Sequence, residues 1–137
     1  MAFDINRIRE AVAGDWGRIE SLLKEALGSD IDILNTVNAH ILSNSGKQLR
    51  PLLSLLAARA CSGGHPVEAS FHYAAASELL HNATLLHDDV ADSSDERRGM
   101  PTLRALMGSS VSVLVGDFWM AKAVRLVLSE GVNPMTD

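Results

Sequence analysis

The feature that most constrains this chain is a polar stripe along an otherwise apolar helical stretch, from about Val67 to Ala91, that ends in carboxylates. Counting back from Asp88 by helical spacing gives Thr84, His81 and Ser77, and counting forward gives Asp92 and Asp95, so one face is polar from end to end. Leu79, Leu80, Leu86 and Val90 fall elsewhere and are expected to pack against neighbouring helices. A stripe that merely faced water would carry Lys and Glu. This one carries Ser, His, Thr and Asp, which favours a lined cavity and places the helix at the centre of the fold.

The chemistry gathers where that helix ends. Asp88 and Asp92 project from one helical face, with Asp89 rotated away by about 100°. Two carboxylates about 6 Å apart repel by roughly 2 to 3 kcal/mol at an effective dielectric of about 20, so a cation is expected between them. Mg²⁺ suits the arrangement, because it takes one or two carboxylate oxygens, keeps several waters and completes its octahedron with phosphate oxygens. Arg97 and Arg98 follow within a few residues and supply the charge that phosphate needs.

A second basic stretch precedes the central helix. In Ser43-Asn44-Ser45-Gly46-Lys47-Gln48-Leu49-Arg50-Pro51, Pro51 is tolerated in the first turn of the apolar helix expected over Leu52 to Ala60. Lys47 and Arg50 therefore stand near a helix N-terminus, where backbone donors already favour an anion, although a basic loop in solvent would read the same way. A Walker loop is excluded, since Gln48 follows Gly46-Lys47 where Ser or Thr is required.

The remaining segments read as helices and turns. Ile5, Ile8, Val12, Trp16, Ile19, Leu22, Leu23 and Leu27 repeat at helical spacing, with Gly14 and Gly17 able to divide them into two helices. Ser29 or Asp30 is available to cap the next helix, which runs through Ile31, Leu34, Val37, Ile41 and Leu42. Cys61 is expected to pack as a small apolar residue, and His65 and His72 as ordinary helix-flank histidines. Thr102 can cap a helix after the Gly99-Met100-Pro101 turn. Val111 to Ala121 is nearly continuous in apolar or small residues, continues helically through Leu128 and is expected to be buried on most sides, until Gly131 to Pro134 close it. An all-α antiparallel bundle forming one domain over residues 1–137 follows.

Composition narrows the partners. The net charge of −5, with no basic stripe, argues against nucleic acid. One cysteine permits no intrachain disulfide, charges interrupt the N-terminal apolar pattern, and nothing reaches the roughly 20 apolar residues of a membrane span, so the cytoplasm is the expected location.

Taken together, Gly46-Lys47-Gln48-Leu49-Arg50-Pro51, Glu78-Leu79-Leu80-His81, His87-Asp88-Asp89-Val90-Ala91-Asp92, Arg97-Arg98-Gly99-Met100-Pro101-Thr102 and Val115-Gly116-Asp117-Phe118 resemble the motifs of the trans-type isoprenyl diphosphate synthases, in the same order. The resemblance is close over residues 31 to 130 and looser over the first helices. It implies about the N-terminal half of the isoprenoid synthase fold, a homodimer through the region of Val111 to Ala121, and the joining of an allylic prenyl diphosphate to isopentenyl diphosphate. By the same resemblance Asp88 and Asp92 ligate Mg²⁺ on the allylic diphosphate with Asp89 in support, and Arg97 contacts that diphosphate. Lys47, Arg50, His81 and Arg98 then hold the diphosphate of isopentenyl diphosphate. Ala83 and Thr84 are small where short-chain members place aromatics, which implies a deep pocket, a product of about twenty carbons or longer, and Leu80 or Trp119 as its floor.

The family's second aspartate-rich motif does not occur in these residues. The chain alone is therefore expected to be inactive. A non-catalytic partner or regulatory module derived from such an enzyme is the alternative reading, and within the enzymes a terpene cyclase is the rival. Lys47, Arg50 and Arg98 fit a second diphosphate that a cyclase does not need.

Overall fold

A computed structural model of the chain describes residues 4–44, 46 and 48–129. The helices are α1 (Ile5–Ala11), α2 (Ala13–Leu27), α3 (Asp32–Ser43), α4 (Leu49–Cys61), α5 (Glu68–Ala91), α6 (Leu103–Met107) and α7 (Ser109–Ser129). Among the described residues the only sheet is a hairpin of β1 (Glu96–Arg97) and β2 (Met100–Pro101), antiparallel, with Arg97 opposite Met100. Lys47 and the segment from Gly131 to Pro134 lie outside the described residues.

The central helix is where its pattern put it. α5 packs along α7, α4 and α2, and Ala74, Ala75, Leu79 and Ala83 form its fully buried ridge. Small side chains on that ridge let the neighbouring backbones come close, while Phe71 and Leu86 fill the spaces at either end. Leu22, Leu55, Val115 and Trp119 close the core from the other helices. Two polar links are buried within it. Trp119 Nε1 donates to Asn38 Oδ1 at 2.8 Å, and Asn38 Nδ2 donates to the Leu27 carbonyl at 3.2 Å, joining α7, α3 and the end of α2. Arg59 forks onto the carboxylate of Asp15 at 2.6 and 2.8 Å, tying α4 to α2.

Several local expectations are corrected. The N-terminal helices divide at Val12, which leaves helical geometry and turns its side chain into the core, and both Gly14 and Gly17 sit inside α2. Neither Ser29 nor Asp30 caps α3; Ile31 holds that position, Ser29 Oγ accepts from the Ile31 N–H at 3.1 Å, and the Asn35 amide closes the loop onto Ser29. Cys61 is exposed at the end of α4. α5 stops at Ala91 with Asp92 as its cap, so Asp95 has left the polar stripe and instead pairs with Arg104 at 2.7 Å. Leu80 is 46% exposed, and α7 buries one face only, leaving Leu114, Val124, Val127 and Leu128 open. No helix of the described residues is long and apolar enough to cross a membrane.

Candidate active site

The site is built at the C-terminal end of α5. The N–H of Asp92 bonds the Asp88 carbonyl at 2.8 Å, which keeps the two residues one turn apart, and both side chains are exposed. Asp89 points the other way. It is buried, and its Oδ1 accepts from Arg97 Nη2 at 2.7 Å, so β1 is docked against the last turn of α5. Thr102 holds the base of the hairpin: its N–H donates to the Asp95 carbonyl at 2.9 Å, its Oγ1 donates to the Ser94 carbonyl at 2.8 Å, and the same oxygen caps α6 by accepting from the Ala105 N–H at 3.1 Å.

The hairpin also carries Arg98 to the loop before α4. Arg98 Nη1 donates to the Asn44 carbonyl at 3.1 Å, and the guanidinium lies so close over Gly46 that a Cβ there would fall 2.7 Å from its central carbon. Gly46, at φ +74°, is thus required twice, by its backbone angle and by the arginine above it. Arg50 is exposed in the first turn of α4. His81 faces these cations from α5: burial first, and then the guanidinium groups of Arg50, Arg98 and Arg97, hold its imidazole below the ordinary value of 6.5. The shift favours the neutral imidazole.

One residue of this region escaped sequence reasoning as a site candidate. Glu78 is only 1% exposed, its Oε1 accepts from Asn82 Nδ2 at 2.9 Å, and burial raises its carboxyl above the ordinary 4.5 although Arg50 and Arg98 pull the other way. The available signal was a carboxylate one turn before His81 in a run of alanine and leucine.

The residues expected to line the path of an apolar chain fall in different surroundings. Ala83 and Trp119 are both 0% exposed, the first pressed between α5 and α7 and the second spent on Asn38, so neither faces open space. Thr84 is exposed and its hydroxyl donates to the His81 carbonyl at 2.6 Å. Leu80 lines an apolar groove of about 320 Å³ between Tyr73 and Ser77 of α5 and Val124, Val127 and Leu128 of α7.

The carboxylates suit Mg²⁺. Among the described residues no group of three or more His, Cys, Asp or Glu could hold a metal by itself. Two exposed carboxylates one turn apart would suit an ion whose other positions are filled by water and phosphate oxygens.

These helices define an all-α bundle of the isoprenoid synthase type. Residues 31–135 match the family model described as Polyprenyl synthetase, and the chain belongs to that family. It is 41% identical over 128 residues to an octaprenyl diphosphate synthase of Escherichia coli (strain K12), covering 93% of this chain and 39% of that protein. An all-trans-nonaprenyl-diphosphate synthase (geranyl-diphosphate specific) of Rhodobacter capsulatus is 40% identical over 129 residues, with 93% and 39% covered. Among solved structures, a decaprenyl diphosphate synthase from Rhodobacter capsulatus superposes with a TM-score of 0.85 at 41% identity, over 93% of this chain and 39% of that one. A polyprenyl synthase from Caulobacter crescentus CB15, complexed with calcium and isoprenyl diphosphate, gives 0.85 at 36% identity, over 94% and 39%. The chain thus spans about two-fifths of the length of these relatives.

Proposed function

We propose that the protein to which this chain belongs is a prenyltransferase that joins an allylic prenyl diphosphate to isopentenyl diphosphate, and that these residues form one wall of its site. The observation that carries this reading is that Asp88 and Asp92 stand exposed one turn apart at the end of α5, while the guanidinium groups of Arg50, Arg98 and Arg97 gather on His81 of the same helix. Asp88 and Asp92 would hold Mg²⁺, which when bound neutralises charge on the departing diphosphate. Arg97, steadied by Asp89, contacts the allylic diphosphate. Arg98, Arg50 and His81, with Lys47, receive the second diphosphate, while the charge of Arg97 beside the first favours the ionised state over the ground state. The calcium and isoprenyl diphosphate named in the Caulobacter structure are the kinds of ligand this wall would take.

A long product is part of the proposal. An apolar tail leaving Asp88 would pass Thr84 and enter the groove at Leu80, and the helix rises about 22 Å between Asp88 and Tyr73. That path accommodates a chain of about twenty carbons or longer, and the relatives are octaprenyl, nonaprenyl and decaprenyl synthases. We place the facing wall in sequence outside these residues. A second copy of the chain is proposed to cover the part of α7 around Val111 to Ala121, where Leu114 is open, and the cytoplasm is the proposed location.

The test is a product assay on the complete reading frame that encodes this chain, with Mg²⁺, isopentenyl diphosphate and starters of several lengths. Long-chain products are expected, and Arg98→Ala should raise KM for isopentenyl diphosphate while leaving that for the starter nearly unchanged. The 137-residue chain alone should show no turnover. Absence of condensation by the complete protein would overturn the proposal.

A further inference from the structure

The Gly116-Asp117 pair of α7 is used by no step above, yet it meets α5 at the residue immediately before Asp88. The ring of His87 crosses from α5 over Gly116: a Cβ at Gly116 would stand 2.5 Å from both Cδ2 and Nε2 of His87, and 3.3 Å from the Ala83 carbonyl oxygen. Gly116 is an interior helical residue without a positive φ, so space demands glycine here and backbone conformation does not. Through that gap His87 Nε2 reaches the Val113 carbonyl oxygen at 3.2 Å and Asp117 Oδ1 at 3.1 Å. Both are acceptors, which assigns the proton to Nε2 and makes the contact a shared donation to α7. One residue earlier, the buried Ser112 Oγ donates to the Leu86 carbonyl at 2.8 Å. Two consecutive residues of α5 are therefore tied to α7 just before the carboxylates begin.

The tie sets rotation. Side-chain ends lie about 5 Å from a helix axis, so turning α5 by about 10° would move the Asp88 carboxylate by about 1 Å. Displacements of that size are enough to spoil a metal or reacting geometry. We propose that Gly116, His87 and Asp117 form a latch that fixes the rotational setting of α5 against α7 and so aims Asp88 and Asp92 at their cation. His87 and Asp117 are positioning residues, and Gly116 is the gap that admits them. The proposal rests on Asp88 and Asp92 being cation ligands.

The experiment uses the protein from the complete reading frame, with Mn²⁺ and inorganic diphosphate as probes, and reads Mn²⁺ affinity by electron paramagnetic resonance. Hydrogen exchange across residues 85–92 and the thermal midpoint are measured on the same samples. Gly116→Ala should weaken Mn²⁺ binding by about tenfold and speed exchange in that segment. His87→Ala should do the same, His87→Gln should recover most of the affinity by restoring a donor, and the double variant should be no worse than either single change, because the added methyl then meets no ring. Wild-type affinity in Gly116→Ala, or losses that multiply in the double variant, would overturn the latch even if thermal midpoints fell. A wild-type protein that binds no Mn²⁺ would overturn the cation-site reading, and the latch with it.

Discussion

Glu78 and His81 show burial setting charge at the residue scale. Glu78 is raised above 4.5, chiefly by burial, so between that value and its folded-state pKa the folded chain holds more protons than the unfolded one. Its contribution to stability is therefore present in acid and lost as pH rises through that window. Glu78→Gln keeps the shape and the partner amide without the charge. The variant should gain stability relative to the wild type as pH rises from about 4.5, as measured by chemical denaturation at several pH values; a difference that does not vary with pH would contradict the assignment. Asp88 and Asp92 were legible in the sequence because helical spacing alone places them together. The inward turn of Asp89 onto Arg97 was not, since it depends on a hairpin that brings residue 97 back across the helix end.

For the elements, period predicts existence better than environment. The spacing of Ile5 to Leu27, of Leu52 to Ala60 and of Val111 to Leu128 was enough for the helices, and Thr102 capped α6 as its side chain allows. The two-residue strands were illegible because no periodicity fits in so short a run. Burial was misjudged where it depends on what packs from elsewhere, as at Cys61, Leu80 and the outer face of α7. The same distinction separates two substitutions aimed at the apolar path. Ala83→Phe inserts a ring into the closed α5–α7 contact and should cost about 1 to 3 kcal/mol or more, seen as a lower thermal midpoint. Leu80→Trp, at the mouth of the open groove, should leave stability nearly unchanged and shorten the product. An unaltered product distribution with Leu80→Trp would remove the groove from the tail's path.

At the scale of the whole molecule, the chain joins a complete-looking half-site to an incomplete surface. Leu114 of α7 is 66% exposed, and with the partly open Val113 it marks an apolar face, apart from the groove at Leu80, of the kind a further protein surface covers. Five motifs in order made the family legible in sequence, and the fold bears that out. The catalytic account built on it stands on Asp88 most directly. Steady-state turnover of the complete protein carrying Asp88→Asn, compared with wild type at saturating Mg²⁺ and both diphosphates, tests it. The account predicts a fall of about a hundredfold or more with the thermal midpoint unchanged, because the exposed side chain supports a ligand and not the core. Turnover equal to the wild type's would contradict it.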